Sequence, residues 1–249
     1  MLVYSEQKIK IGASVGNLIE VMPGSGGFVR LDGYMADDMS VVNSARVSFA
    51  QHSSELHSDL SGKDKGLIGF LMRERHGTPF EHNSFRFHVK CPIFVAREWF
   101  RHRVGSFNEF SARYSEVPNE FHVPLPEHIR TQTGKPGAYD FEQLDTSDPR
   151  VSMAMTAINS NNIASYKIYR EMVEAGIAKE VARMVLPVSM FTQFYWTVNA
   201  RSLMNFLSLR TDKNAQLEIR EYADAVEQLF KDVMPVTYQA WIDNGKVAP

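Results

Sequence analysis

The segment FRFHVKCPIFVAREWFRHR, residues 85–103, contains a strand pattern followed directly by a helix pattern. Apolar and polar side chains alternate over its first seven residues, which predicts a strand with one buried face. Pro92 suits the first position of a helix, and we expect that helix to continue to about Arg103. The side chains predicted for the buried face are Phe85, Phe87, Val89 and Cys91, and those predicted for the opposite face are Arg86, His88 and Lys90.

Weaker patterns on either side of this segment indicate further strands and helices. The glycines of GSGG (24–27) are typical of a turn between two short strands, and the breaker-rich stretch 130–149 is interpreted as a surface loop. Strands and helices alternate irregularly, without a repeating βαβ unit, so we predict an α+β fold in a single domain of residues 1–249. The remaining predicted elements are strands at 18–22, 28–34 and 190–199 and helices at 36–49, 63–75, 151–176, 178–186, 200–210 and 215–241.

The composition excludes several classes of protein. There are 27 Lys and Arg residues against 29 Asp and Glu residues, which gives a net charge of −2. General nucleic-acid binders and proteins of anionic membrane surfaces usually have a basic excess, so neither partner is expected. No apolar run approaches the ~20 residues of a membrane span, and the first residues do not resemble a signal peptide. Cys91 is the single cysteine, so a reducing, cytoplasmic setting fits best.

Several cationic side chains lie close together in the sequence at the end of the segment. On a helix that continues through it, Arg97, Glu98, Arg101 and His102 fall within an arc of about 140°. Arg113 follows in the next loop. Guanidinium groups donate paired hydrogen bonds to phosphates and planar carbonyl groups, so the cluster predicts an anionic ligand. The alternative interpretation is a solvated face with structural ion pairs.

The run RHRVGSFNEFSARY (101–114) has Arg-His-Arg separated by seven residues from Ser111. This spacing resembles the hallmark motif of the flavin-dependent thymidylate synthases. Residues 76–103 and 182–210 also resemble the segments of that family before the motif and near its C-terminus. The resemblance implies an α+β domain in which helices flank a mainly antiparallel, twisted sheet.

The resemblance also implies a reaction, its cofactors and an assembly. The family converts dUMP to dTMP, with methylenetetrahydrofolate as the one-carbon donor and reduced FAD as the hydride donor. NADPH re-reduces the flavin, and the enzymes are homotetramers whose active sites are shared between subunits. The catalytic positions are Arg210, beside the uracil ring, and His76, close to the flavin ring. The positions that match FAD contacts are Thr78, Arg101, His102, Arg103, Glu109, Asn199, Ala200, Arg201 and Asn205.

A second set of positions matches the contacts to dUMP. Members of the family often have Gln where this chain has Glu98, and a carboxylate there repels a phosphate unless an arginine compensates. The positions implied for dUMP are Glu98, Arg101, Glu109, Ser111, Ala112, Arg113, Arg183 and Arg210.

The residues themselves favour electrostatic activation of the pyrimidine over sulfur addition. Cys91 lies on the predicted apolar strand face, and buried cysteines of this kind are usually inert. Arg210 supplies a permanent cation that favours a deprotonated, more nucleophilic ring. The alternative interpretation of Arg210 is a cation stabilised by a helix C-terminus. Ser111 has no identifiable base at triad-like spacing, so a hydrogen-bonding role is preferred to a nucleophilic one.

The predicted helix 200–210 supports a ligand-facing role. Its apolar residues are spread nearly all round, while polar residues form two stripes, one with Asn199 and Arg210 and the other with Arg201, Asn205 and Ser208. Buried polar groups need partners, and a nucleotide and a flavin could supply them.

Other classes of function are less consistent with these patterns. A metal site could use His76, His82, His88 and His102, but no HExxH motif is present and no metal is expected. GSGG is not a GxGxxG motif, so the flavin is not expected to bind in the Rossmann manner. A nucleotide sensor without turnover and a nucleic-acid-binding module remain as alternatives, and bound flavin distinguishes the enzyme from both.

Overall fold

The computed structural model describes residues 18–22, 26–48, 60–135 and 138–249. Part of the turn predicted at 24–27 and the end of the helix predicted at 36–49 lie outside the described residues. The strands are β1 (Leu18–Val21), β2 (Gly27–Met35), β3 (Ser84–Pro92), β4 (Ser106–Glu109), β5 (Arg130–Lys135), β6 (Ala138–Gln143) and β7 (Phe191–Asn199). The α-helices are α1 (Asp38–Val47), α2 (Gly62–Arg73), α3 (Ile93–Trp99), α4 (Pro149–Glu174), α5 (Lys179–Ala182), α6 (Ala200–Arg210), α7 (Leu217–Val233) and α8 (Pro235–Asp243).

The main sheet has five strands in the order β1-β2-β3-β7-β4, and every neighbouring pair is antiparallel. The central strands β3 and β7 pair along their whole length and align Phe87 with Trp196. Buried side chains of the sheet and of α1, α2, α3, α6 and α7 form one hydrophobic core. The α+β prediction is therefore confirmed, with helices packed on an antiparallel sheet.

The alternation predicted for residues 85–91 is confirmed in β3. Phe85, Phe87, Val89 and Cys91 are 0% exposed and belong to the core. Burial of each of the larger apolar side chains stabilises the fold by about 1.5–3 kcal/mol. A one-residue slip would turn these side chains to the other face, so the core determines the register of β3.

The opposite face of the sheet is polar. The Arg30 side chain binds Asp32 and contacts His88 Nδ1 at 3.0 Å. His88 Nε2 lies 3.1 Å from Gln193 Oε1, and the Tyr195 hydroxyl donates to Asp32 at 2.9 Å. The sheet thus has one apolar and one hydrated face, as is common for antiparallel sheets.

Aromatic packing places the end of α3 beside α6. Trp99, the last residue of α3, stacks on Phe206 of α6 with ring centroids 4.8 Å apart. Trp99 also meets Trp196 of β7 edge-on at 5.4 Å. These three rings are 0% exposed, so the two helix ends are held together by buried contacts.

A second, smaller core lies on α4. Its buried residues include Tyr169 of α4, and the Tyr169 hydroxyl accepts a hydrogen bond from the Val117 backbone N–H at 2.9 Å. This contact fixes the loop that follows β4 against α4. The buried members of this core are Ala112, Val117, Tyr169, Ala182 and Met190.

The helix predicted to reach Arg103 is shorter. It ends at Trp99, and residues 101–103 follow as a turn and irregular chain. The prediction that Arg97 and Glu98 share one helical face with the arginine motif is therefore wrong. Trp99, the last residue of α3, is 0% exposed and stacks on Phe206, a tertiary contact that periodicity does not reveal.

The loop predicted at 130–149 is also wrong, because the chain forms a hairpin there. β5 and β6 pair from Arg130–Gln143 to Lys135–Ala138, and α4 begins at Pro149. Most of the side chains of both strands are exposed, so the surface location was correct.

The single helix predicted at 215–241 is interrupted at Met234 between α7 and α8. Pro235 has no backbone N–H to continue α7. Asp38 of α1 caps the new helix, accepting hydrogen bonds from the backbone N–H groups of Val236 at 3.0 Å and Thr237 at 2.7 Å. The other predicted helices and strands in the described ranges are confirmed to within a few residues, except that 178–186 consists of α5 and a 3₁₀ turn (Arg183–Val185). None of the helices in those ranges is long and apolar enough to cross a membrane.

Candidate active site

Arg210 ends α6 and is held by the residues around the end of α3. Its Nη1 donates to Glu98 Oε2 at 3.2 Å, and its Nη2 donates to the Glu98 backbone oxygen at 3.2 Å. Its Nε donates to His102 Nε2 at 3.0 Å. Each nitrogen of the guanidinium group therefore has a partner, and the plane of the group is fixed.

His102 is a neutral acceptor in this arrangement. Burial and, to a smaller extent, the neighbouring Arg210 cation together lower the pKa of His102 to about 4. Because Nε2 accepts the hydrogen bond from Arg210, the ring proton must be on Nδ1. The ring also packs edge-on against Phe206 at 5.0 Å. His102 thus orients Arg210 without adding a charge.

A cavity of about 560 Å³ opens beside Arg210. Arg101 and Arg103 reach it from the turn after α3, and both are exposed. Within the described part of the chain, neither guanidinium group has a hydrogen-bond or ion-pair partner. We call this the arginine cavity, which Arg101, His102, Arg103, Arg201, Asn205 and Arg210 line together with Glu81, Val104, Ser202, Leu209, Ala248 and Pro249.

The arginine cavity fits the phosphates of a dinucleotide cofactor such as FAD. Two exposed guanidinium groups without partners are a preformed site for a polyanion, because they donate charge-assisted bonds to phosphate oxygens. Arg201 is more constrained than they are. Its Nη1 donates to Glu81 Oε1 at 2.6 Å and its Nε donates to the Pro249 oxygen at 2.8 Å. Four arginine side chains line this one cavity and make its walls basic despite the balanced total charge of the chain.

Asn199 and Ala200, two residues predicted to contact the cofactor, instead make hydrogen bonds at the start of α6. The Asn199 side chain accepts a hydrogen bond from the Ser202 backbone N–H at 2.8 Å and so caps the helix. Ala200 is 0% exposed, and its N–H donates to the Asn83 oxygen at 3.1 Å. The structure therefore brings Arg201 and Asn205 to the arginine cavity, but it does not bring Ala200 there.

The two polar stripes predicted on α6 differ in their surroundings. Asn199 and Arg210 have partners within the chain. Arg201 and Asn205 are exposed, on the side of the arginine cavity. The argument that both stripes need ligands is therefore wrong for the first stripe. In the second stripe Arg201 also has partners within the chain, and contact of Asn205 with a ligand stays a prediction.

His76 and Thr78 line a different cavity, of about 510 Å³, between α1, α2 and the 3₁₀ turn Thr78–His82. The His76 ring stacks on Phe70 of α2 with centroids 5.9 Å apart. Arg46 also lines this cavity and pairs with the buried Asp64. The wall is mixed apolar and polar, which suits a planar ring with polar edges.

The positions that match the dUMP phosphate contacts lie elsewhere on the chain. Ala112 packs in the second core, while Arg113 is exposed and pairs with Glu180 at 3.3 Å. Arg183 is exposed on the 3₁₀ turn after α5. Ser111 precedes them in the loop after β4. None of these four residues lines the arginine cavity as the described residues form it.

Glu109 and Cys91 are neighbours near the end of β3. Glu109 Oε1 accepts a hydrogen bond from the Thr192 hydroxyl at 2.7 Å. Burial raises the pKa of the Cys91 thiol well above its ordinary value, and the Glu109 charge raises it further. A thiol that is 0% exposed and resists ionisation is a core residue and not a nucleophile.

Some features of the site were not predicted. Glu81 lies within the segment 76–103 but was given no role, and it binds Arg201 directly. The signal that could have indicated this role is the position of Glu81, an acidic residue three residues after Thr78, which was predicted to contact the cofactor. Pro249 lines the arginine cavity although it is 48 residues from Arg201, and no local pattern reveals such a contact. Among the described residues, no group of three or more histidine, cysteine or acidic side chains could hold a metal ion.

Comparisons with known proteins identify the family. The family model for thymidylate synthase complementing protein matches residues 30–236. The chain is 49% identical to a flavin-dependent thymidylate synthase of Thermosipho melanesiensis over 218 residues, which cover 87% of this chain and 90% of that relative. It is 43% identical over 228 residues to a protein of the same description from Tropheryma whipplei, covering 89% of this chain and 94% of the other.

A solved structure shows the same fold with a nucleotide analogue. It is the crystal structure of a UMP/dUMP methylase from Streptomyces cacaoi bound with 5-Br dUMP, with a TM-score of 0.83 and 41% sequence identity. The match covers 90% of this chain and 98% of that one. With the family model and the close relatives, this structural match shows that the chain belongs to the family of flavin-dependent thymidylate synthases.

Proposed function

We propose that this chain converts dUMP to dTMP, with Arg210 as the residue that activates the uracil ring and the arginine cavity as the site of the FAD phosphates. The observation that carries the proposal is the fixed guanidinium of Arg210. It is a permanent cation, its orientation is set by Glu98 and His102, and it lies next to a basic cavity. The protein is an FAD-dependent thymidylate synthase.

Arg210 still has donors for the substrate. Arginine has five N–H groups, and the three bonds to Glu98 and His102 leave one free on each terminal nitrogen. Two coplanar N–H groups match the edge of a planar pyrimidine. Lysine offers a charge without this paired geometry, so the residue type matters as well as the charge.

The charge of Arg210 makes the ring more reactive. At a separation of about 4 Å, a unit cation stabilises a unit anion by roughly 1–4 kcal/mol, depending on the screening. That range corresponds to about 1–3 units in the pKa of the ring proton. A larger deprotonated fraction raises electron density at the ring carbon that accepts the one-carbon unit. Cys91 takes no part, because its buried thiol cannot reach a ligand.

Arg101 and Arg103 bind the pyrophosphate of FAD, and Arg201 and Asn205 contact the same cofactor. FAD, when reduced, supplies the hydride that completes the methyl group. His76 and Thr78 line the second cavity, where in this proposal His76 lies close to the flavin ring and Thr78 contacts FAD. Methylenetetrahydrofolate supplies the carbon, and NADPH restores the reduced flavin.

The separation of the phosphate-binding set from the arginine cavity is consistent with a shared active site. Ser111 and Arg113 of one subunit, with its Arg183, bind the dUMP phosphate beside Arg210 of another subunit. A homotetramer accounts for this arrangement, and each subunit is a single domain of residues 1–249. The enzyme works in the cytoplasm on small molecules and does not bind nucleic acid. Glu109 is exposed at the end of β4 and can contact either ligand.

A flavin-binding experiment tests the proposal. We expect the purified protein to show flavin absorbance and, once reduced, to be oxidised by methylenetetrahydrofolate only when dUMP is present. Replacing Arg101 and Arg103 together with Gln should weaken FAD binding at least tenfold, because each charged hydrogen bond contributes about 1.5–3 kcal/mol.

Arg97→Gln is the matched control. Arg97 is an exposed arginine on α3 and does not line the arginine cavity. It should keep normal FAD affinity. Equal loss of FAD in the control and the double variant would contradict the assignment of the cavity, and a protein that cannot bind FAD at all would contradict the function.

A further inference from the structure

We propose that Glu98 is a positioning residue that holds the Arg210 guanidinium in place and offsets part of its charge, and so determines how readily the bound pyrimidine ring loses its proton. The inference rests on the role proposed above for Arg210. It gives Glu98 a role that acts through Arg210 and does not require contact with dUMP.

The contacts of Glu98 with Arg210 come from two parts of the same residue. The carboxylate accepts from Nη1 at 3.2 Å, and the backbone oxygen accepts from Nη2 at 3.2 Å. The side chains of Glu98 and Arg210 are 27% and 20% exposed, so solvent screens the ion pair only partly. The hydrogen bond to the backbone oxygen orients Nη2. The carboxylate therefore orients Nη1 and also contributes a negative charge.

The other charged groups around this pair do not replace Glu98. His102 is neutral above pH 4 and faces Arg210 from the turn after α3. Glu218 of α7 acts on Glu98 as a like charge, but it is paired with Arg130 at 3.2 Å. Among the described residues, Glu98 has the only carboxylate in direct contact with Arg210.

The state of Glu98 follows from two opposing effects. Burial raises the pKa of Glu98, and the Arg210 cation opposes that rise. The carboxylate lies 3.2 Å from this permanent cation and forms an ion pair with it. The field that Arg210 exerts on a bound ring is then smaller than that of a free guanidinium group, because the two charges partly cancel.

The direction of the effect can be predicted. Glu98→Gln keeps a hydrogen-bond acceptor for Nη1 and removes the negative charge. The bound ring should then lose its proton about one pH unit lower than in the wild type, which is a tenfold change in the ionisation constant. Glu98→Ala removes both the charge and the side-chain hydrogen bond. It should lower the ring pKa by a similar amount but reduce kcat at least tenfold, because Arg210 is less well held.

The ionisation of 5-fluoro-dUMP measures this directly. Fluorine draws electrons from the ring and brings its proton into the neutral range, where ultraviolet difference spectra of the complex report the ionised fraction. The titration needs no turnover and uses the flavin-loaded enzyme. The pH profile of kcat with dUMP is the second measurement, and its acidic limb should move to lower pH in Glu98→Gln. A residue that only stabilises the fold would change rates without moving either curve.

Three comparisons make the outcome decisive. Glu171→Gln, the same change in an exposed i,i+4 pair with Lys167 on α4, should leave the ring pKa unchanged. If Glu98→Gln also leaves it unchanged while Arg210→Ala raises it, this inference is wrong and the proposed role of Arg210 stands. If Arg210→Ala has no effect on the ring pKa, the role of Arg210 and this inference both fail. Circular dichroism and flavin content show whether each variant is folded, and Glu98→Gln suffices if Glu98→Ala does not fold.

Discussion

The guanidinium of Arg210 is oriented by Glu98 and His102 before any substrate binds, so its substitution tests geometry and charge separately. Arg210→Lys keeps the charge but loses the planar donors and the bonds to both partners. We expect both Arg210→Lys and Arg210→Ala to lower kcat at least a hundredfold, with much smaller losses of FAD content. Turnover and bound flavin measured on the same preparations check this. Equal losses of both quantities would mean that Arg210 is structural.

Cys91 gives the complementary prediction at the scale of one residue. Its side chain is 0% exposed on the core face of β3. Replacement by Ala removes a small buried group and should cost about 1 kcal/mol of stability, with most of the turnover kept. Activity assays and chemical unfolding measure the two effects. Near-complete loss of activity in a folded Cys91→Ala variant would contradict the assignment of Cys91 to the core alone.

A sequence motif predicts which residues line a cavity, but it does not predict contacts with partners that are distant in the sequence. Arg101, Arg103 and Arg210 were assigned to ligands and do line one cavity. The resemblance assigned His102 to FAD, but its ring nitrogen binds Arg210, 108 residues away. That pairing arises from the buried contact between α3 and α6, which has no local signature.

At the scale of the elements, periodicity predicted strands and helices that bury one face. It failed for β5 and β6, because both faces of that hairpin are largely exposed and β5 has no apolar face to mark it as a strand. It also failed at Met234, where the cap for α8 comes from Asp38 near the other end of the chain. Pro235 marks the end of α7 in the local sequence, whereas the contact that caps α8 is tertiary and has no local signal.

The hairpin is attached to α7 by an ion pair that can be tested by pH. Arg130 donates to both oxygens of Glu218, at 3.4 and 3.2 Å, and the Glu218 side chain is 7% exposed. Burial alone would raise the pKa of Glu218, but hydrogen bonds from Arg130 and Gln216 hold it below its ordinary value of 4.5. The pair therefore stabilises the fold above about pH 4.5, and this stability is lost as the pH falls through the lowered pKa.

Arg130→Gln leaves Glu218 buried without its cation. We expect the free energy of unfolding at pH 7 to fall by about 1–3 kcal/mol. Without Arg130, burial raises the pKa of Glu218, so Glu218 of the variant becomes protonated, and uncharged, in mild acid. The difference in the free energy of unfolding between the variant and the wild type should therefore shrink below about pH 5. Urea unfolding from pH 4 to 7 measures this. Arg150→Gln, which breaks an exposed pair with Asp148, is the control and should have a small effect. A constant difference across the pH range would contradict the ion-pair account.

At the scale of the whole molecule, the separation of two residue sets within one chain is the main constraint on assembly. Arg210 lines the arginine cavity, whereas Arg113 and Arg183 are exposed near α5. A monomeric enzyme would have to bring these two sets to one ligand within a single chain. A closed oligomer needs no such change, because symmetry can place the second set of one subunit beside the first set of another.

Mixing inactive variants distinguishes these possibilities. Arg183→Ala and Arg210→Ala should each be inactive alone, because each lacks one part of every active site. If the parts come from different subunits, dissociating and reassembling equal amounts should restore about one quarter of wild-type activity, since half of the subunits keep each residue and the choices are independent. Reassembling each variant with itself is the control and should restore nothing. If verified mixed oligomers remain inactive, both arginines act within one chain. Arg183 and Arg210 of that chain would then have to come together when dUMP binds.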